Sequence, residues 1–243
     1  MNVEPEYIGL DDTFTFSCNE KISCFNKCCI DVNQFLYPYD IIRLKNFLGI
    51  TSGEFLEKYA MMYSGDTTGL PVVSLKTTPA DGHACPFVTE KGCSVYSDRP
   101  ASCRIFPLAR AISRSRETGQ ITEHFALIKD PVCQGFNHGV PIKVRDWVDT
   151  QAIVEYNLMN DKMIELISMK HQVMPGPLEG EYQEKFVLAC YDIDAFRKQI
   201  LEDGLMKEED FDAGVFNKIK TDDALLLEAG MKWIQKQLFG KII

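Results

Sequence analysis

The sequence predicts an α+β protein: an irregular, cysteine-rich metal-binding domain with a small sheet over residues 1–140, and a helical C-terminal region over 141–243 packed on it. Three observations lead there. Eight of the nine cysteines lie between Cys18 and Cys133. Up to about residue 135 the segments are short and broken by Gly, Pro and Cys, whereas after Pro141 apolar residues recur at helical spacing over long stretches. The composition is that of an ordinary globular chain, 45% hydrophobic and 25% charged over 243 residues, which is enough to bury a core.

In chain order, Tyr39 to Tyr63 reads as two helices. Ile41, Ile42, Leu44, Phe47 and Leu48 make the apolar face of the first, and Gly49 stands where a C-terminal glycine belongs. Thr51 with Glu54 forms a capping box for the second, which buries Phe55, Leu56 and Tyr59. Strand-like runs follow at Val72–Leu75, Pro86–Val88 and Cys93–Tyr96, and Ile105–Ile112 pairs with Thr122–Ile128 around a turn near Gly119. Ile142 to His171 carries one long helical pattern, which Met174-Pro-Gly-Pro177 breaks. Glu181–Leu201 and Asp222–Leu238 read as two further helices whose stripes pack as a bundle.

Thirty-five acidic against 26 basic residues give a net charge of −9. That balance offers no basic face to a nucleic acid or an anionic membrane, so neither is expected as a partner. Apolar runs are only a few residues long, which excludes a transmembrane helix. The acidic start lacks the charge pattern of an export signal, so the expected location is cytoplasmic. In a reducing compartment eight clustered cysteines read as metal ligands or reactive thiols rather than disulfides.

The cysteines form two runs, Cys18-x5-Cys24-x3-Cys28-Cys29 and Cys85-x7-Cys93-x9-Cys103-x29-Cys133. Four plus four is the count for two tetrahedral thiolate sites, for two cubane clusters, or for one of each. Adjacent Cys28 and Cys29 point their side chains differently and so serve different metals or opposite sides of one cluster. The two runs are therefore expected to interleave, and metal loading to couple to folding. All-thiolate ligation suits zinc and iron–sulfur alike. Phe14, Phe16, Phe25 and Phe35 flank the first run as its apolar shell, while Cys190, in the apolar stretch FVLACYDIDAF, belongs to a helical core.

Around Cys103, Ser97 or Asp98 caps a helical turn with Pro100 in its first turn. A four-thiolate site holding zinc or an oxidised cubane carries a formal charge of about −2. Arg99 and Arg104 are placed to offset that charge and to donate hydrogen bonds to sulfur. His83 and His138 lie near Cys85 and Cys133, but eight thiols already fill two four-coordinate sites; His124 and His171 stand apart. The paired acids Asp11-Asp12, Glu208-Glu209-Asp210 and Asp222-Asp223 sit in polar contexts as solvated or capping residues. No G-x-S-x-G, H-E-x-x-H or G-x-x-x-x-G-K-[ST] pattern occurs.

The Cys-x3-Cys-Cys cluster, followed by Gly92-Cys93-x2-Tyr96-x2-Arg99-Pro100-x2-Cys103-Arg104-x-Phe106-Pro107, resembles the YkgJ-type cysteine-cluster family, whose domain is described as zinc- or iron-chelating. The resemblance covers residues 14 to about 135 and implies Cys18, Cys24, Cys28, Cys29, Cys85, Cys93, Cys103 and Cys133 as ligands. The family opening is Cys-x2-Cys-x2-Cys-Cys, whereas this chain has spacings of x5 and x3. A more distant similarity, to the cysteine domain of flagellin lysine N-methylases, implies an iron–sulfur cluster and adenosylmethionine. It shifts the preference from zinc toward iron–sulfur and raises protein lysine methylation as an alternative activity. No G-x-G-x-x-G turn accompanies it. The reading is a metal-binding protein with a structural, redox or metal-handling role, its partner a metal ion or cluster. A metal-free thiol redox sensor is the remaining alternative.

Overall fold

The computed structural model describes residues 5–115 and 117–240. In chain order the elements are β1 (Glu6–Ile8), β2 (Thr13–Thr15), β3 (Phe35–Leu36), α1 (Pro38–Leu48), α2 (Ser52–Tyr59), β4 (Ala60–Ser64), β5 (Pro71–Leu75), β6 (Val88–Thr89), β7 (Gly92–Cys93), α3 (Ala101–Ile105), β8 (Leu108–Arg114), β9 (Ile121–Leu127), β10 (Pro141–Lys143), α4 (Val144–Thr150), α5 (Val154–Val173), α6 (Gly180–Cys190), α7 (Ile193–Leu201), α8 (Val215–Lys218) and α9 (Asp223–Phe239). Small antiparallel sheets with helices concentrated toward the C-terminus make this an α+β fold. No helix among the described residues is long and apolar enough to cross a membrane.

The chain gathers into two compact units, each discontinuous in sequence: residues 1–32 with 77–157, and residues 33–76 with 158–243. All eight clustered cysteines lie in the first.

The first unit is built from very short pieces. Its longest ribbon, β8 with β9, runs in register from Leu108 opposite Leu127 to Arg114 opposite Ile121, and β1 adds to the outer edge of β9. β2 pairs with β10, placing Phe14 opposite Ile142, and β6 pairs with β7, placing Val88 opposite Cys93. Its buried side chains include Phe14, Phe16, Phe87, Val95, Ile105, Leu108, Phe125, Leu127 and Val144. Trp147 on α4 donates its indole N–H to the Ile105 carbonyl at 3.0 Å and meets Phe14 and Phe16 edge-on at 5.8 and 5.6 Å.

The second unit is a helical assembly on a three-stranded sheet of order β3-β5-β4. α1 opens with the Asp40 carboxylate accepting the Tyr37 N–H at 2.8 Å, and ends at Gly49 in the left-handed conformation. α2 carries the expected capping box, with Glu54 N–H to Thr51 Oγ1 at 3.2 Å and Thr51 N–H to Glu54 Oε2 at 2.8 Å. Phe186, Cys190, Phe196, Leu226 and Ile234 are fully buried between α6, α7 and α9. Gly230 lets α6 and α9 touch, since a Cβ there would stand 2.2 Å from the Ala189 carbonyl oxygen. Beside that core lies a polar network. Lys45 Nζ contacts Asp194 Oδ2 at 3.1 Å and Asp223 Oδ2 at 3.0 Å, Arg197 bonds both carboxylates, and the Ser52 N–H donates to Asp194 at 2.7 Å. α1, α2, α7 and α9 are thereby tied together by groups whose charges are matched.

Three expectations are corrected. Residues 60–63 continue α2 in the sequence pattern, yet they form β4, because Met61, Met62 and Tyr63 pair with Ser74, Val73 and Val72 of β5. The single helix over 142–171 is β10, then α4, then α5, interrupted at Gln151–Ile153 where Ala152 adopts φ +49°. The single helix over 181–201 is α6 and α7, separated at Tyr191–Asp192, where Asp192 leaves helical geometry and accepts the Ser52 hydroxyl at 2.7 Å.

Candidate metal centre

The first unit folds its two cysteine runs against each other by backbone pairing. The Cys85 N–H donates to the Cys29 carbonyl at 2.8 Å, while the Asp31 and Val32 N–H groups reach the Gly82 and His83 carbonyls, each at 3.2 Å. Asn26 Nδ2 donates to the Thr89 carbonyl at 2.8 Å. Asn26, Asp31 and His83 all take left-handed backbone conformations, with φ of 67°, 54° and 55°. Asn, Asp and His are the non-glycine residues that most readily take this conformation, and here they turn the chain beside the cysteines. On the other side the Ser17 N–H donates to Gly135 at 3.1 Å, and a Cβ on Gly135 would lie 2.5 Å from the Phe16 ring. Only glycine lets the Cys133 loop settle beside Cys18.

The thiols sort by the charges they feel. The Cys18 thiol is raised to about 11, first by burial and then by Cys28, Cys24 and Cys133 in that order. Cys133 is raised by burial and then by Cys24 and Cys28. Cys29 is raised first by donating its S–H to Cys28, then by burial, with Cys28, Cys85 and Cys103 adding. Cys85 and Cys93 are each raised by burial, with Cys28 contributing to both and Cys93 to Cys85. Cys28 moves the other way, down to about 7, because the Cys29 S–H donates to it. By these influences Cys18 feels Cys24, Cys28 and Cys133, Cys29 feels Cys85 and Cys103, and Cys28 acts across both groups.

Backbone N–H groups are aimed at the sulfurs. Gln134 donates to Cys24 Sγ at 3.1 Å. Phe87 and Val88 donate to Cys85, Val95 to Cys93 and Gly135 to Cys133, each holding its thiol down against burial. Donors of this kind stabilise thiolates and tune a metal bound to them. None of the nine cysteines is in a disulfide. Among the described residues no group of three or more His, Cys, Asp or Glu side chains is arranged to hold a metal ion as it stands. The eight sulfurs are gathered without being closed to coordination distance. By donor type, number and hydrogen bonding they fit a soft, thiolate-ligated metal such as zinc or iron.

Arg99 and Arg104 stand beside the second set. The Arg99 guanidinium holds the Cys93 thiol down and feels both Cys103 and Cys93. Its hydrogen bonds go to the Tyr96 carbonyl at 2.7 Å and to Gln151 Oε1 at 2.8 Å, with its plane 3.9 Å from the Tyr96 ring. Arg104 donates to the Gln151 carbonyl at 2.8 Å, to the Ser97 carbonyl and to the Tyr156 hydroxyl, over whose ring it lies at 4.7 Å.

Residues 17–134 match the model of the CxxCxxCC family, described as "Putative zinc- or iron-chelating domain". That segment is similar to the CxxCxxCC domain. No solved structure matches the chain significantly. All eight clustered cysteines and both arginines lie inside the matched segment.

Several groups take other places. His83 faces Thr77 at 3.2 Å, and His124 faces Ser113 at 2.8 Å on the β8–β9 ribbon. Phe35 belongs to the second unit, where it is half-exposed against Tyr63. The aromatic packing beside Cys18 and Cys133 instead comes from Phe16 with Phe106 at 5.7 Å, Phe136 at 5.3 Å and Trp147. Phe106, Phe136, Trp147 and Gln151 were not legible as site residues. Their one signal was the aromatic content of the stretches around Cys103 and Cys133.

Proposed function

We propose that the CxxCxxCC-like segment holds zinc or iron, as single ions or iron–sulfur clusters, in two thiolate sets: Cys18, Cys24, Cys28 and Cys133, and Cys29, Cys85, Cys93 and Cys103. The observation that carries this reading is the convergence of both cysteine runs on Cys28, whose charge helps burial raise Cys18, Cys29, Cys85, Cys93 and Cys133. Clustered thiolates repel, and a divalent cation removes that repulsion. Arg99 and Arg104 then offset the remaining negative charge of the second set. A bound metal of this kind supplies either a closed structural crosslink or an electron-carrying centre. The chain's own residues contribute the sulfurs, the N–H donors to them and the aromatic wall of Phe16, Phe106, Phe136 and Trp147. The setting consistent with this chemistry is the cytoplasm.

Elemental analysis with an ultraviolet–visible spectrum, on protein purified without oxygen, tests the reading. About four or more iron and sulfide per chain with a brown colour identifies clusters, and about two zinc in a colourless sample identifies closed sites. No metal, with all nine thiols titratable, overturns it.

A thiol-redox response is the second reading. It rests on exposed Cys28, held near 7 beside Cys29, since a thiolate at neutral pH is the reactive form. It predicts reversible loss of thiol titre on mild oxidation of metal-free protein.

A further inference from the structure

Arg99 and Arg104 are buried cations with an uneven set of partners. Their exposures are 9% and 5%, and among the described residues no carboxylate pairs with either. Both are met by carbonyls, an amide oxygen, a phenol and aromatic faces, all of which solvate a cation without neutralising it. Arg104 Nε is buried with no hydrogen-bond partner. A buried guanidinium lacking a counter-charge is unfavourable unless an anion stands nearby. Arg99 lies within electrostatic reach of Cys93, Cys103 and Arg104, so the thiolates of Cys93 and Cys103 are the anions nearest to hand for the pair.

One residue holds both arginines in that position. Gln151 receives Arg99 through its side-chain oxygen and Arg104 through its backbone carbonyl. It caps α4, and the next residue, Ala152, is left-handed at φ +49°, a conformation that turns the chain out of the helix at a residue other than glycine. Gln151 lies 17 positions beyond the last residue of the CxxCxxCC match, at the α4–α5 junction.

We propose that Gln151 is a positioning residue for the metal centre, presenting Arg99 and Arg104 as paired cations that balance a metal–thiolate group at Cys93 and Cys103. This rests on the metal reading above and extends the site to the α4–α5 junction. The amide is suited to the task because it orients Arg99 while leaving its charge available to sulfur. A carboxylate in its place would hold Arg99 more firmly and at the same time consume that charge. The junction also acquires a dependence on the metal: with the thiolate group charged, the arginines and Gln151 are locked, and with it discharged, residues 151–156 lose the anion that justifies their arrangement.

The test uses the full chain, zinc as the probe, and competition against a chromophoric chelator. Gln151→Glu is expected to lower zinc affinity about 10–100-fold, the range typical when a supporting group around a metal is lost. Thermal stability of the metal-free variant should be equal to or above that of the parent. Gln151→Ala should also lose affinity. In the parent, zinc should slow backbone hydrogen exchange over 151–156, and in Gln151→Glu it should not. A purely structural Gln151 gives the opposite pattern, with zinc held as tightly by the Glu variant as by the parent and exchange at 151–156 indifferent to zinc; that result overturns the proposal while leaving the thiolate sites intact. A parent chain that takes up no zinc, iron or cluster overturns the metal reading itself, and this inference with it.

Discussion

The two units of this chain reach order by different routes. In the first, most strands are two or three residues long, three non-glycine residues flanking the cysteines are left-handed, and the thiols are crowded. In the second, helices of 9 to 17 residues bury Phe186, Phe196, Leu226 and Ile234 completely, and the charged groups beside the core are paired. Elements that short each bury little apolar surface to offset their conformational entropy, so a metal crosslink would add more to the first unit than to the second. The difference teaches where each unit is vulnerable: the first to chelation, the second to cavities.

The largest expected effect follows directly. Metal removal should destabilise the first unit, because metal-binding energy at structural thiolate sites is also folding energy. A thermal scan of the chelated chain should keep the transition of the second unit and move that of the first to lower temperature. Cys103→Ser should lower metal content and shift the same transition. Unchanged metal stoichiometry and melting in that variant would remove Cys103 from the ligand set. The converse is Phe196→Ala, where a side chain with no exposure packs on Trp233 at 5.5 Å. It should destabilise the second unit by about 4 kcal/mol with metal content unaltered.

Titration sharpens the contrast. Asp223 is raised by burial, but bonds from Asn46, Arg197 and Lys45 outweigh this and hold its carboxyl below the usual carboxylate value of about 3.9. Its stabilisation is therefore complete above that value and lost as pH falls through the lower native one. The thiols work in the other direction. Cys18, raised to about 11, stabilises the metal-free first unit below the ordinary thiol value of about 8.5, and that contribution is lost as pH rises toward 11. Metal-free protein should thus lose its second unit first in acid and its first unit first in alkali, as followed by hydrogen exchange resolved along the chain. Lys45→Met, which leaves Asp194 and Asp223 short of a cation, should cost the second unit about 3 kcal/mol. The smallest effect is expected at the junction: Ala152→Gly should stabilise the first unit by about 1 kcal/mol, since glycine takes φ +49° without strain.

Much of this was legible in the sequence where one residue carries one local instruction. Gly49 ends α1, Thr51 with Glu54 starts α2, and Asp222 caps α9 by accepting the Leu225 N–H at 2.9 Å. Breaks without such punctuation were not. Ala152 turns left-handed although alanine favours helix, and Asp192 leaves its helix for a hydroxyl 140 positions away. Met61–Tyr63 suit a helix as well as a strand until β5 supplies a partner. At the candidate site the cysteines announced themselves by type and spacing. Which sulfur meets which depends on Cys133 returning to Cys18 and Cys24 through the loop at Gly135, an encounter no local pattern encodes.

That return has a consequence during synthesis. Cys28 and Cys29 emerge from the ribosome early, yet Cys133 follows more than a hundred residues later, and the intervening stretch 33–76 itself awaits helices beyond residue 158. At translation rates of about 5–20 residues per second, the leading thiols remain without their distant companions for roughly 5–20 s. The nascent chain is therefore most open to oxidation or to capture of the wrong ion in that interval, before any mature fold exists to protect it.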